Sequence, residues 1–226
     1  MNRLTELSGQ LLLLVKKNES TKLLQEELVK ISSSHLVEQL NGDYAKKTFW
    51  INIYNAFYQI LAHNHSESKG NIYHRKEINI ADYTFSLDDV EHGILRKYRW
   101  KWSKGYIANP FAKAIIKTLA VNKIDYRIHF ALNCGAVSCP PIAFYTMDNI
   151  DQQLEMATGS FLESETTIFP EEKRVETSSL LNWFAADFGG KKGALAIIST
   201  VMEQDVSNYK LAFTKYNWDK QLANFS

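Results

Sequence analysis

Residues 43–65, which read DYAKKTFWINIYNAFYQILAHNH, carry the clearest helical pattern in the sequence and decide its fold class. Apolar side chains recur there with a period of 3.6 residues over four turns, which predicts an α-helix. They are Trp50, Ile53, Tyr54, Phe57, Ile60 and Leu61. Asp43 is the predicted N-cap, because a short acidic side chain accepts hydrogen bonds from the first N–H groups of a helix.

Three amide side chains interrupt this helix at a spacing of three and four residues: Asn52, Asn55 and Gln59. A helix interior disfavours asparagine, because its side chain competes for backbone hydrogen bonds. We therefore expect these amides to hold something specific, either the backbone of a neighbouring loop or a bound ligand. Loop anchoring is the first expectation, and Asn52 and Asn55 are also candidate substrate-binding residues.

Further helices and a few strands are predicted on both sides of this segment. Residues 1–42 show three amphipathic helical patterns. Ser86 and Asp89 form a capping-box pattern, which predicts that a helix starts there. Asn109 is a predicted N-cap followed by Pro110 at the first helical position, which predicts the start of another helix. The other predicted elements are a short strand near 77–85, a buried strand across 126–133, a helix across 147–162, a hairpin turning at 170–173, and helices near 179–190 and 193–204.

These elements predict a helix-rich α+β fold with a small β-sheet. No repeat, low-complexity tract or linker divides the chain, so we expect one domain over residues 1–226, with N-terminal helices at 1–42 and the core at 43–226. The hydrophobic share of 45% provides a sizeable core without disulfide or metal support.

Composition limits the partners. Twenty-six Lys and Arg against 25 Asp and Glu give a net charge of +1, so no basic excess points to nucleic acid. No run approaches the roughly 18 apolar residues that cross a bilayer, so membrane insertion is not expected. A cytoplasmic protein is predicted, with a trimmed secretory leader as the alternative. The expected partner is a small-molecule or peptide substrate.

No cofactor or metal is predicted. The segment GGKKGALA, residues 189–196, lacks the spacing and the Ser or Thr of a phosphate-binding loop. His63, His65 and His74 lack a partner at metal-ligand spacing and are interpreted as surface histidines.

The second informative segment, residues 127–140, reads RIHFALNCGAVSCP. Its alternation places Ile128, Phe130 and Leu132 in the core, and Arg127, His129, Ala131 and Asn133 on the other face of the predicted strand. Cys134 follows at the strand end, where Gly135 permits a sharp turn without a Cβ clash. A thiol presented in this way is a candidate nucleophile, and the alternative is a buried cysteine that packs as a small hydrophobe.

Cys139 precedes two prolines and has a structural role as its first interpretation. The alternative is a resolving thiol for Cys134. A zinc site formed with His129 is disfavoured, because the two cysteines are five residues apart and no second cysteine pair exists.

Glu91 and His92 lie in the helix that begins at Ser86, and a carboxylate beside an imidazole is a candidate general base. The alternative is a solvated helix face. Val90, Ile94 and Leu95 define the predicted buried side of this helix.

The segments FWINIYNAF, SLDDVEHGILR, RIHFALNCGAVSCPPI, YTMDNIDQQLEMATGSFL and FTKYNWDKQL together resemble the bacterial and plant family catalogued as domain of unknown function 547. The resemblance runs from about Phe49 to the C-terminus, and one departure is Tyr126, where members often have proline. It implies that the signature positions form one site. These positions are Asn52, Asn55, Glu91, His92, Arg127, His129, Asn133, Cys134, Gly135 and Cys139.

The predicted function is thiol-dependent acyl transfer, most simply by an amide hydrolase or peptidase. Cys134 is the nucleophile, His92 or His129 the base, and Glu91 the group that orients the imidazole. Asn52, Asn55, Arg127 and Asn133 are the predicted substrate-binding residues. The predicted oxyanion donor is Asn52, Asn133 or the backbone after Gly135. These residue types are similar to those of papain-like and transglutaminase-like hydrolases, and a resemblance to the architecture of those enzymes is expected by this analogy. The alternatives are a non-catalytic peptide- or protein-binding scaffold and a redox sensor that uses Cys134 with Cys139.

Overall fold

A computed structural model describes residues 2–64 and 72–226 of the chain. Helices dominate and strands are few, which confirms the helix-rich α+β class. The α-helices are α1 (Arg3–Lys16), α2 (Lys22–Lys30), α3 (Ser33–Gln39), α4 (Asp43–Asn64), α5 (Ala114–Leu119), α6 (Ile150–Glu165), α7 (Leu180–Trp183) and α8 (Gly190–Val201). A π-helix spans Asp89–Leu95, and short 3₁₀ turns span Ile72–His74, Lys101–Ser103 and Tyr126–Phe130. Residues 65–71, HSESKGN, are polar and include a glycine, so the sequence predicts a loop there. This segment lies outside the described residues.

In the part of the chain that the structure describes, five short strands form two small sheets. Strands β1 (Ile78–Ile80) and β2 (Tyr83–Phe85) pair antiparallel, so the segment predicted as one strand is a hairpin. Strand β3 (Thr167–Phe169) pairs antiparallel with β4 (Arg174–Thr177), which confirms the hairpin predicted to turn at 170–173. Strand β5 (Lys210–Phe213), which was not predicted, pairs with β4 in parallel.

Helix α4 is the centre of the larger hydrophobic core, and its apolar pattern forms as predicted. Helix α1 packs along it through Leu4, Leu7 and Leu11. A second core cluster lies between α6 and α8, with Leu162, Val175 and Ile198 fully buried. None of the helices in the described residues is both long and apolar enough to cross a membrane.

Two predicted N-cap roles are wrong, for the same physical reason, although α4 does begin at Asp43. The carbonyl of Gly42 accepts the first hydrogen bond of α4, while the Asp43 carboxylate accepts from the backbone N–H groups of Asn122 and Lys123 at 2.7 and 3.0 Å. Asn109 accepts from the N–H of Phe111 at 2.9 Å in a local turn, and α5 begins only at Ala114. In both cases the short polar side chain stabilises a loop rather than a helix end.

The predicted strand across 126–133 is also wrong. Asp125 accepts a hydrogen bond from the N–H of Arg127, and the chain then winds into a 3₁₀ turn rather than extending. His129 is buried together with its neighbours Ile128 and Phe130, so the alternation of faces does not exist. A short apolar run fits either a strand or a buried helical turn, and here the local hydrogen bonds from Asp125 favour the turn.

Candidate functional site

One cavity of about 320 Å³ contains all four predicted catalytic residues in its lining: Cys134, His129, His92 and Glu91. The chain therefore brings together two segments that lie about forty residues apart in the sequence. Aromatic rings form most of the remaining wall, namely Tyr54, Tyr73, Trp183, Phe184, Tyr216 and Trp218. A predominantly apolar cavity with a few convergent polar groups is typical of a ligand site.

The π-helix Asp89–Leu95 carries Glu91 and His92 into this cavity. The predicted capping box starts it, since Ser86 and Asp89 exchange hydrogen bonds at 2.8 and 3.2 Å. Wide turns follow, with the N–H of Arg96 bonded to the carbonyl of Glu91, five residues earlier. The side chains of Glu91 and His92 are only 12% and 16% exposed, so a solvated helix face is wrong. Wide helical turns are frequent at functional sites.

A buried charge network lies behind the cavity wall and centres on Asp187. Its Oδ2 accepts from Nε of Arg96 at 2.5 Å and lies 2.9 Å from Nε2 of His129. Nη1 of Arg96 lies 2.8 Å from Nδ1 of His92, which must accept because a guanidinium only donates. The network ties both candidate histidines to one carboxylate. The rings of Phe184 and His129 are stacked, with their centroids 3.9 Å apart.

These contacts fix the protonation states of the site. Burial, together with nearby Arg96, lowers the pKa of His92 to about 3, so its ring is neutral and carries its proton on Nε2. Burial also lowers the pKa of His129, although the hydrogen bond to Asp187 opposes this. Burial alone would raise the pKa of Asp187, but the bonds from His129 and Arg96 hold it below its usual range.

Glu91 differs from Asp187, because burial raises the pKa of its carboxyl despite the opposing charge of Arg96. Its Oε2 accepts from the hydroxyl of Tyr54 at 3.2 Å. Its other oxygen lies 3.9 Å from Nδ1 of His92, beyond hydrogen-bond distance. Of Glu91 and Asp187, it is therefore Asp187 that holds the imidazole of a candidate catalytic histidine.

A disulfide joins Cys134 and Cys139. Cys134 is the more accessible partner and lines the cavity, while Cys139 is buried. The sulfur of Cys139 accepts hydrogen bonds from the N–H of Cys134 and from the hydroxyl of Tyr216, both at 3.1 Å. In this oxidised state Cys134 has no thiol, so a nucleophile exists only after reduction.

The asparagines on α4 hold loops. Asn52 donates to the carbonyl of Tyr145 at 2.9 Å and accepts from its N–H at 3.1 Å. Asn55 does the same for the carbonyl of Ala131 and the N–H of Asn133, both at 2.9 Å. Both side chains are fully buried and neither lines the cavity. This geometry favours loop anchoring over ligand binding.

The other two predicted substrate-binding residues are also engaged away from the cavity. Asn133 donates to the carbonyl of Pro140 at 2.7 Å and accepts from the N–H of Gly135 at 2.8 Å, so it braces the cysteine loop. Arg127 pairs with Asp125 at 2.8 Å and Asp151 at 2.5 Å on the outer surface. Neither side chain lines the cavity.

Several residues of the site were missed by the sequence analysis. Arg96 and Asp187 gave no signal, because a charged residue gives no indication in the sequence that it will be buried. The rings of Trp183, Tyr216 and Trp218 have centroids 4.6–5.4 Å apart. Aromatic residues make up 12% of the chain, which predicts a large aromatic core or, as the alternative, an aromatic-lined groove, without indicating which rings form it.

The predicted surface histidines divide into three cases. His74 is half-exposed at the cavity rim, with Nδ1 2.5 Å from Asp88. His63 is exposed, and His65 lies outside the described residues. Within residues 2–64 and 72–226, no three His, Cys, Asp or Glu side chains are arranged to hold a metal ion.

The fold and the site define a helix-rich α+β protein with a cysteine, histidine and carboxylate cavity. Residues 37–162 match the family model described as protein of unknown function, DUF547, and the chain belongs to this family, as predicted. The match includes α4, the π-helix and the cysteine loop, while Asp187 and the aromatic wall lie beyond it. No curated protein and no solved structure matches the chain, so the predicted likeness to papain-like and transglutaminase-like architecture is unsupported.

The neutral state of His92 predicts a loss of stability in acid. Between its unfolded pKa of 6.5 and its folded pKa of about 3, the unfolded chain binds a proton that the folded chain does not. The free energy of unfolding therefore falls as the pH falls through this window, by up to about 1.4 kcal/mol per pH unit for this group. Glutamine at position 92 can still accept a hydrogen bond from Arg96 but does not titrate. His92→Gln should therefore reduce the dependence of the free energy of unfolding on pH, measured by urea denaturation at several pH values.

The matched control is His35→Gln, which makes the same substitution at a half-exposed histidine on α3. Equal slopes in the unmodified protein and in His92→Gln would show that His92 is not held neutral.

Proposed function

We propose that this protein is a thiol-dependent acyl-transfer enzyme, most simply an amide hydrolase or peptidase, that is active once the Cys134–Cys139 bond is reduced. The observation that carries the proposal is the shared cavity of Cys134, His129, His92 and Glu91, with His129 held by the buried carboxylate of Asp187 at 2.9 Å. A nucleophile, a base and a group that orients the base are the minimum for this chemistry.

Each residue has a distinct role in the proposed reaction. His129 takes the proton of Cys134, the thiolate attacks the substrate carbonyl carbon, and the C=O electron pair moves to oxygen. The tetrahedral intermediate then expels the amine, which receives the proton from His129. Asp187, rather than the predicted Glu91, holds the imidazole. Water hydrolyses the resulting thioester by the reverse sequence of proton transfers, so the reaction needs no cofactor.

His92 is better suited to hydrogen-bond donation than to base catalysis. Its Nδ1 is occupied by Arg96 and its pKa of about 3 keeps the ring neutral, which leaves Nε2–H as a donor toward the cavity. A neutral imidazole donor can stabilise a developing oxyanion, which is worth roughly 3 kcal/mol per donor. This replaces the predicted oxyanion role of Asn52 and Asn133, whose amides hold backbone groups.

Reduction by a dithiol or glutathione-type thiol would activate the site. The incoming thiolate attacks the accessible sulfur of Cys134, and Cys139 leaves as a thiolate that the N–H of Cys134 and the hydroxyl of Tyr216 stabilise. A second thiolate then attacks the reductant sulfur of the mixed disulfide and releases Cys134. The reductant leaves as its own disulfide, so two electrons and both sulfurs are accounted for.

The cavity walls indicate the substrate class. Aromatic rings surround the polar end formed by Glu91, His92 and His129, so a peptide or small amide with an aromatic or apolar group fits the lining. The volume of about 320 Å³ is at the small end of the usual range for ligand sites.

Alkylation of Cys134 tests the proposal. After reduction, iodoacetamide should label Cys134 with a pH midpoint below the free-cysteine value of about 8.5, because His129 favours the thiolate. The variant Cys139→Ser should be labelled without reductant, since it cannot form the bond, whereas Cys134→Ser should give no labelling in the cavity. Peptide mass spectrometry identifies the labelled residue. A midpoint near 8.5 in both reduced protein and Cys139→Ser contradicts the enzyme.

A non-catalytic binding module is the second candidate, and one observation favours it. The amides of Asn52, Asn55 and Asn133 are hydrogen-bonded to backbone groups, and the two cysteines form a disulfide. Groups that only stabilise the fold are what a non-catalytic scaffold requires. Under this alternative, Cys134 of the reduced folded protein resists labelling and reacts only after denaturation.

A further inference from the structure

A basic segment borders the cavity. Residues 97–117 contain six of the chain's Lys and Arg residues and none of its Asp or Glu residues, although the net charge of the whole chain is +1. The six are Lys97, Arg99, Lys101, Lys104, Lys113 and Lys117. Within the part of the chain that the structure describes, only Lys101 among them lies within 4.0 Å of a carboxylate, that of Asp88. The segment therefore has a positive charge that is largely unneutralised.

The same segment exposes large apolar side chains. Trp102 is 82% exposed and Phe111 is 85% exposed. Trp100, Tyr106 and Ile107 are exposed as well, all within twelve residues. Single exposed apolar residues are common on protein surfaces, but a group of this kind marks an interaction site.

The segment is folded against the protein on its inner side. An antiparallel bridge between Arg99 and Ala108 closes a hairpin, and the N–H of Trp100 donates to the carbonyl of Ile107 at 2.8 Å. The carbonyl of Lys104 accepts from the N–H of Ala186 at 3.1 Å, which fixes the tip of the hairpin. The exposed rings are therefore presented on a preformed support.

The rings and the charges surround one groove of about 310 Å³. Trp100, Trp102 and Phe111 line it together with Arg99, Lys101 and Lys113. Asp88 and Asp89 also line it, but each is already paired with a cation, Asp88 with Lys101 and Asp89 with Lys76. The groove adjoins the cavity, because Asp88, His92 and Lys101 line both.

We propose that residues 97–117 bind the surface of an anionic lipid membrane, with the rings of Trp102 and Phe111 at the level of the lipid headgroups. Tryptophan and tyrosine prefer that level, because their rings are apolar and their N–H or O–H groups are polar. Unneutralised Lys and Arg side chains are attracted to anionic headgroups. The proposal concerns binding at the surface and does not depend on the chemistry of Cys134.

A nucleic acid is the competing anionic partner, and the apolar side chains argue against it. Single-stranded nucleic acid needs rings on which bases stack. Ile107 cannot stack in this way, whereas a membrane interface accepts aliphatic and aromatic side chains alike.

Vesicle binding tests the proposal on the full chain. The protein should sediment with vesicles of phosphatidylcholine and phosphatidylserine but not with phosphatidylcholine alone, and brominated acyl chains should quench its tryptophan fluorescence. Removing two charges with Lys113→Gln and Lys117→Gln should weaken binding by about fivefold per charge. Trp102→Ala should also weaken binding and should remove much of the quenching.

The matched control is the double variant Lys22→Gln with Leu23→Ala, which changes an exposed cation and an exposed apolar residue on α2. It should bind like the unmodified protein, and thermal melts should show that all variants are folded. Absence of binding to the anionic vesicles, equal binding by all variants, or tighter binding to single-stranded oligothymidylate than to vesicles would each overturn the proposal.

Discussion

Replacing Asp187 with alanine is expected to lower the free energy of unfolding by about 3–5 kcal/mol, because it leaves the guanidinium of Arg96 buried without its counter-ion. The side chains of Arg96 and Asp187 are 0% and 1% exposed, and their N–O distance is 2.5 Å. His129 loses its partner in the same variant, so thiol reactivity of the reduced protein should also fall. Urea denaturation with and without reductant measures the first effect, and iodoacetamide kinetics measure the second.

The matched control is Asp151→Ala, which removes an ion pair of the same length in a different environment. Asp151 lies 2.5 Å from Arg127 but is 54% exposed, so its removal should cost about 1 kcal/mol or less. The double variant Arg96→Met with Asp187→Leu should recover part of the loss, because it removes both buried charges together. Equal losses in the free energy of unfolding for Asp187→Ala and Asp151→Ala would show that burial does not increase the contribution of the Arg96–Asp187 ion pair to stability.

Gly135→Ala is the second substitution with a large expected effect, about 3 kcal/mol of destabilisation from the clash and the backbone together. The backbone of Gly135 is left-handed, with φ +67°. A Cβ there would lie 2.5 Å from Cε1 of Tyr58 and 3.0 Å from Cδ2 of Leu222. Tyr58 is itself buried and cannot move aside at low cost. Thermal or urea denaturation gives the change in the free energy of unfolding.

Gly159→Ala serves as the control, because an added Cβ on α6 meets nothing within 4 Å. Alanine favours a helix interior over glycine, so this variant should be more stable by about 0.5–1 kcal/mol. A cost below about 1 kcal/mol for Gly135→Ala would mean that the cysteine loop can shift, and its shape would then not depend on this glycine.

The elements that could be predicted from the sequence are those determined by local patterns. Helix α4 and the β3–β4 hairpin could be predicted, because burial of an apolar face and turn chemistry both act locally. The Ser86–Asp89 capping box also formed as predicted, although the helix that it starts is wider than an α-helix. Hydrogen bonds of this kind join residues that are close in the sequence, so the sequence alone predicts them.

What could not be predicted depends on contacts between distant residues. The 3₁₀ turn at Tyr126–Phe130 is stabilised by Asp125, and Asp125 is itself held by Lys47 of α4 at 2.7 Å. Asp187 reaches His129 across 58 residues, and nothing in its own surroundings in the sequence distinguishes it from a surface acid. The gathering of the cysteine, the histidines and Glu91 in one cavity was expected from the family resemblance rather than from periodicity.

The amide contacts of Asn55 and Asn133 have a consequence for the two sulfur atoms. These contacts hold Ala131, Gly135 and Pro140 on either side of the bridge, and none of them involves sulfur. When the bridge opens, the loop keeps its shape and each thiol remains at a high effective concentration around the other. Re-oxidation by the disulfide of a small thiol then takes two steps: one cysteine first forms a mixed disulfide with it, and the other cysteine attacks that bond and releases the small thiol. The second step is intramolecular, so its rate does not depend on protein concentration.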